Sequence, residues 1–68
     1  MPIISVTIAQ GRSVEKRRRL IRALTEATVE AFEVRPDQVR VILNEVALEN
    51  YAVAGETFAE RAATMNGN

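Results

Sequence analysis

The chain has 68 residues, nine Lys and Arg against nine Asp and Glu, and neither His nor Cys. A net charge of zero argues against a dedicated nucleic-acid binder, which carries a basic excess; the missing residue types exclude cysteine- or histidine-based zinc sites and a Ser-His-Asp triad; and no apolar run approaches the ~20 residues of a membrane span. A chain of this length forms one domain, residues 1–68, and buries only roughly 60% of its unfolded surface, so a hydrophobic content of 47% implies burial against further copies of itself.

Ile3 to Ile8 predicts a strand, with Ile4, Val6 and Ile8 on one face and Ile3, Ser5 and Thr7 on the other. Gln10-Gly11-Arg12-Ser13 is a turn. Ser13 is the expected N-cap, with Glu15 in the first helical turn, where a negative charge suits the dipole. Lys at position 16 means that the full capping box is absent. Val14 to about Phe32 predicts an amphipathic helix, with Leu20, Leu24, Ala27 and Ala31 at helical spacing flanked by Ile21, Thr28 and Phe32. The run Lys16-Arg17-Arg18-Arg19 points in four directions on such a helix and reads as a solvated face, with Glu15 and Arg19 forming an i,i+4 pair.

Arg35-Pro36-Asp37 ends the helix, and Val39 to Val46 predicts a second strand. Strand, helix, strand is a βαβ unit of class α/β, with parallel strands and a right-handed crossover. Leu48 to Glu56 is a loop or a small hairpin, and Thr57 to Thr64 a short helix or frayed tail. Residues from about 57 to 68 read as peripheral, and Met65-Asn66-Gly67-Asn68 as disordered. Two parallel strands under one helix leave a sheet face bare, whereas parallel sheets are normally covered on both faces. A dimer joining two sheets edge to edge, then a ring of dimers, solves that. Pro2 to Ile8 is too short for a signal peptide, so the expected compartment is the cytoplasm.

Pro2 is the most informative residue. Trimming of Met1 would leave its nitrogen as a secondary amine in a chain that lacks histidine, the usual proton shuttle near neutral pH. An ordinary α-amino group titrates near ~8; a proline amine is more basic and must be pushed down to act as a base. Otherwise Pro2 simply begins a strand, where a missing N–H is tolerated. Arg12 follows the first strand, and Arg40 lies within the second, where a charge needs a partner or a rim position. Either could be an ordinary surface arginine. Together they present two planar forks that match a substrate with two carboxylates, and cations near a terminal nitrogen disfavour its protonation. Tyr51, the single tyrosine, either closes such a pocket or is a half-buried packing aromatic.

The set Pro2, Gly11-Arg12-Ser13, Leu20-Ile21-Arg22, Val39-Arg40-Val41-Ile42, Glu45 and Gly55-Glu56 resembles the 4-oxalocrotonate tautomerase family over residues 2 to about 56. The resemblance implies a β-α-β subunit with a small C-terminal hairpin, assembled as a homo-hexamer (a trimer of dimers) or a hetero-hexamer, with sites shared between subunits and no cofactor or metal. It assigns the catalytic base to Pro2, the distal carboxylate to Arg12, and the 1-carboxylate and 2-oxygen to Arg40. Tyr51 falls where the family usually has a phenylalanine lining the pocket, and Ala54-Gly55 where it often has Gly-Gly. The related haloacrylate dehalogenases carry an extra arginine and a glutamate at positions that are Ala9 and Val53 here, which argues against hydrolytic dehalogenation.

The expected function is therefore cofactor-independent tautomerisation of a 2-hydroxydienoate such as 2-hydroxymuconate to its conjugated 2-oxo acid. Pro2, Arg12 and Arg40 would be catalytic, and Arg12, Arg40 and Tyr51 would bind substrate. Three alternatives are a biosynthetic tautomerase acting on another enol, a weakly active subunit of a hetero-hexamer, and an anion- or nucleic-acid-binding module built on Lys16 to Arg19.

Overall fold

The computed structural model describes residues 1–67 and contains β1 (Ile3–Ala9), α1 (Val14–Phe32), β2 (Arg40–Val46), β3 (Ala52–Val53), β4 (Glu56–Thr57) and α2 (Phe58–Gly67). Short 3₁₀ turns occupy Pro36–Gln38 and Leu48–Asn50. β1 and β2 pair in parallel, in register from Ile3 opposite Arg40 to Ala9 opposite Val46. The expected βαβ unit and C-terminal hairpin are both present.

Local chemistry accounts for the ends of α1. Ser13 Oγ accepts the Lys16 backbone N–H at 3.1 Å, satisfying one of the free donors of the first turn. At the other end Glu33 adopts the left-handed conformation, φ 56° and ψ 47°. Its own N–H and that of Val34 both reach the Val29 carbonyl, the latter at 3.3 Å. Glycine usually occupies such a position. A side chain there is strained, and a carboxylate beside the last carbonyls opposes the helix dipole.

Ile4, Val6 and Ile8 of β1 and Val41 and Leu43 of β2 are half-buried under α1, which lays Leu20, Leu24 and Thr28 over them. The helix covers less than its sequence suggests. Ala27 and Ala31 from the expected apolar stripe are exposed, as are Ile21 and Phe32. The opposite sheet face carries Ile3, 64% exposed, Ile42, 49% exposed, and a hydrogen bond from Asn44 Nδ2 to Ser5 Oγ of 3.0 Å. The expected Glu15–Arg19 pair is not formed; the ion pairs among the described residues are Arg17–Glu45, Arg35–Asp37 and Arg61–Glu56.

Among the described residues only Val39 is a buried hydrophobic residue. The accessible surface is 5315 Å², against about 4,250 Å² for a compact monomer of this mass. The radius of gyration is 15.8 Å, against about 11 Å for a compact chain of this length. Excess surface and elongation share one cause, an apolar surface with nothing of its own chain to cover it.

The C-terminal segment closes on itself. β3 and β4 pair antiparallel, Ala52 with Thr57 and Val53 with Glu56, about a two-residue turn in which Ala54 and Gly55 have φ 55° and 83°. Positive φ at both positions is the requirement of a type I′ hairpin. α2 opens with a reciprocal capping box: Glu60 N–H donates to Thr57 Oγ1 at 3.0 Å, and Thr57 N–H to Glu60 Oε1 at 3.4 Å. The helix reaches Gly67, which corrects the expectation of disorder from Met65 as far as that residue; Asn68 lies outside the described residues.

Two outcomes are expected. Glu33→Gly raises stability by about 1 kcal/mol, by relieving the left-handed strain and removing the opposing charge, and denaturant unfolding at fixed protein concentration measures it. The midpoint itself rises with protein concentration, because association supplies the missing core; a midpoint that stays constant over a hundredfold dilution contradicts this account.

Candidate active site

Parallel pairing brings the start of β1 beside the start of β2. Pro2 immediately precedes β1 and is half-buried, and its carbonyl accepts the Arg40 N–H at 3.0 Å. Arg40 is the first residue of β2 rather than an interior one, so the cost expected of a charge within an apolar strand does not arise. Its side chain is exposed, and Nη1 donates to the Asp37 carbonyl at 2.8 Å. That bond anchors one arm of the guanidinium.

Arg12 stands at the far end of β1, after Gly11, whose φ of 116° turns the chain toward α1. Seven residues of strand at about 3.3 Å each separate the Pro2 end from the Arg12 end by roughly 23 Å. Within one chain these groups therefore cannot act on one small molecule. Arg12 shares a hollow of about 200 Å³ with Ile8, Lys16, Arg17 and Leu20. Arg17 turns inward, and Nη1 lies 3.3 Å from Glu45 Oε1, both side chains about one-third exposed. Arg18 and Arg19 point elsewhere, lining an outer hollow with Glu15 and Arg22. The basic run is thus split between two hollows, Lys16 and Arg17 lining one and Arg18 and Arg19 the other.

Tyr51 follows the Leu48–Asn50 turn, beyond the Arg12 end of the sheet. It is 38% exposed, and its ring stacks on Phe58 with centroids 4.3 Å apart and planes inclined by 29°. Arg61 lies over the Phe58 ring at 5.9 Å and donates from Nε to Glu56 Oε1 at 3.2 Å. Sequence reasoning missed this cluster, although Thr57-Phe58-Ala59-Glu60 carries the capping-box spacing that announces α2.

The structure thus joins Pro2 to Arg40 and leaves Arg12 and Tyr51 at the opposite end. A hollow of about 530 Å³ between Arg22, Thr25, Glu26, Val29, Glu30 and Pro36 is lined by none of the four. No group of three or more acidic residues among the described residues is placed to hold a metal ion, and no described helix is long and apolar enough to cross a membrane.

Residues 2–61 match the family model described as tautomerase enzyme. A 2-hydroxymuconate tautomerase of Pseudomonas putida is 38% identical over 56 residues, covering 82% of this chain and 89% of that protein. A solved structure from work on the 4-oxalocrotonate tautomerase isozymes of Methylibium petroleiphilum superposes with a TM-score of 0.87 at 48% identity, over 93% of this chain and 98% of the other. A chain from a heterohexameric 4-oxalocrotonate tautomerase of Chloroflexus aurantiacus superposes with a TM-score of 0.83 at 38% identity, over 88% and 97%. These matches span nearly the whole of each relative and coincide with the β-α-β core and hairpin described above, so the chain belongs to the 4-oxalocrotonate tautomerase family of the tautomerase superfamily and is an isomerase.

Proposed function

We propose that the protein is a cofactor-independent, cytoplasmic tautomerase that converts a 2-hydroxydienoate, with 2-hydroxymuconate the leading candidate, into its conjugated 2-oxo acid. The observation that carries the reading is the division of the polar set. Pro2 and Arg40 are joined at one end of the sheet through a 3.0 Å backbone bond, and Arg12 stands at the other. A complete site then needs neighbouring copies, and the exposed sheet face with Ile3 and Ile42 offers the surface on which copies can meet.

In this mechanism the secondary amine of Pro2, freed by removal of Met1, accepts the proton of the 2-hydroxyl and returns it to a distant carbon. The electron pair of the O–H bond becomes the carbonyl, and the double bonds shift along the chain. Atoms and charge balance without an external reagent. Arg40 holds the 1-carboxylate and the 2-oxygen, where negative charge grows in the transition state. Arg12 of a neighbouring copy holds the distal carboxylate and draws electron density toward it. Tyr51 forms part of the pocket wall. Met1 is 78% exposed, so access does not oppose its removal.

All three polar residues are in this one chain, which supports a self-sufficient homo-hexamer. The similarity to a chain of the C. aurantiacus heterohexamer supports the alternative of a mixed assembly. Purified alone, this chain should be hexameric and active; a monomer or an inactive assembly would favour the mixed form.

The mechanism predicts an intact mass lacking one methionine. Pro2→Ala and Arg12→Gln should each lower kcat/KM by about a hundredfold or more, the scale for losing one preorganised catalytic group. Co-expressed in equal amounts, the two variants should recover about a quarter of wild-type activity if each site takes Pro2 and Arg12 from different, randomly mixed subunits. No recovery in a mixed hexamer would mean that the site is not shared in this way.

A further inference from the structure

The tautomerase reading leaves α2 without a task. The family match ends at residue 61, inside this helix. Its first turn nevertheless holds Tyr51, through a ring stack and a backbone hydrogen bond from Phe58. We propose that α2 is a positioning element, in which Phe58, braced by Arg61 and Glu56, fixes the ring of Tyr51 and thereby sets how tightly the site holds its dicarboxylate. This inference rests on the reading of Tyr51 as pocket wall.

The contacts form a continuous ladder. Glu56 Oε1 accepts Arg61 Nε–H at 3.2 Å, Arg61 lies 5.9 Å from the Phe58 centroid, and the Phe58 ring stacks on Tyr51 at 4.3 Å. The backbone repeats the link, because the Phe58 N–H donates to the Tyr51 carbonyl at 2.8 Å. The capping box between Thr57 and Glu60 fixes the direction in which Phe58 leaves the hairpin. Without these groups Tyr51 would be held by a two-stranded ribbon of two residues per strand, which is not independently stable. The Arg61–Glu56 pair is about half exposed and contributes little alone, so the aromatic stack carries the effect and the ion pair orients Arg61 over it. A wall held rigid before binding has no freedom left to lose when the ligand arrives, which favours affinity rather than the chemical step. Phe58 and Arg61 are therefore positioning residues, and KM is where they should register.

The composition supplies a clean probe. Tyr51 is the only tyrosine and there is no tryptophan, so tyrosine emission and near-ultraviolet circular dichroism above the phenylalanine bands report this one ring. The experiment follows both signals in the intact assembly while titrating adipate, a dicarboxylate with no enol to react, and measures turnover of 2-hydroxymuconate in parallel. Phe58→Leu should change the Tyr51 spectrum, weaken adipate binding and raise KM by about three- to tenfold, the worth of one aromatic pair, with kcat within about twofold. Phe58→Tyr should keep the wild-type KM, because the stack survives. Arg61→Gln should move KM in the same direction by a smaller factor, and it serves where Phe58→Leu fails to assemble.

A Phe58→Leu or Arg61→Gln protein whose Tyr51 spectrum changes while adipate affinity and KM stay at wild-type values overturns the proposal. An unchanged Tyr51 spectrum in both variants overturns it equally. Failure of the wild-type protein to turn over 2-hydroxymuconate would count against the substrate reading alone, since adipate titration of the Tyr51 signal still decides whether Phe58 governs binding.

Discussion

A single helix covers one face of a two-stranded parallel sheet, and the rest of this protein follows from that constraint. α1 lays Leu20, Leu24 and Thr28 over Ile4, Val6, Val41 and Leu43 and has nothing left for the far side. Ile3 and Ile42 stay exposed there, the Ser5–Asn44 hydrogen bond links the strands across an open face, and among the described residues Val39 is the one hydrophobic residue removed from water. Burial of apolar surface is the main favourable contribution to folding, at roughly 25 cal/mol per Å². A chain that buries so little by itself gains little of that contribution from its own contacts. Its length of 50 Å against a thickness of 15 Å has the same origin, and the C-terminal hairpin and α2 pack on one another and on the Leu48–Asn50 turn.

The same topology divides the chemistry. In a parallel pair both strands start at one end, so Pro2 and Arg40 meet there, tied by the backbone bond between them. Both strands also finish at one end, so the turn carrying Arg12 and the segment leading to Tyr51 leave from the other. An antiparallel pair would have placed the start of one strand beside the end of the other, bringing such groups together in one subunit. Association thus has two consequences here. In the proposed assembly it covers the bare sheet face and brings an arginine from one copy to the proline of another. A substitution at the exposed face, remote from Pro2 in its own chain, would then act on turnover through assembly.

Elements with a strong internal signal were legible in the sequence. The alternation Ile4, Val6, Ile8, the cap at Ser13 and the break at Arg35-Pro36 fixed β1, α1 and the start of β2 to within a residue or two. Pro2, Arg12 and Arg40 stood out as candidates because histidine and cysteine are missing and few groups remain that could perform acid–base or anion-binding work. Other features depend on tertiary context. Helical periodicity shows that a helix has an apolar side, but not that Ala27, Ala31 and Phe32 are left exposed above a sheet of only two strands. The favourable i,i+4 spacing of Glu15 and Arg19 was overridden as a guide to pairing, and Arg17 reaches Glu45 of β2 instead, a partner 28 residues away. The disorder expected from Met65 gave way, as far as Gly67, to a helix whose capping box begins eight residues earlier, at Thr57.

Two residues hold conformations that their side chains disfavour, and the contrast between them is informative. Glu33 closes α1 in the left-handed region beside the last carbonyls, and none of the ion pairs among the described residues includes it. Ala54 is also left-handed, with φ 55°, but much depends on its turn. A type I′ turn matches the twist of the flanking strands, whereas other two-residue turns splay them. With it, Val53 opposes Glu56 and Ala52 opposes Thr57. Shifting that register by one residue would turn alternate side chains to the opposite face. Thr57 would leave the position from which it caps α2, and Glu56 would leave the side on which it meets Arg61. Phe58 would then have no fixed approach to Tyr51. A methyl group held at positive φ costs about 1–2 kcal/mol, and the four residues that follow it are ordered by the turn it helps to make. Local strain of this kind persists where surrounding contacts over-determine it. In this chain those contacts converge on Tyr51.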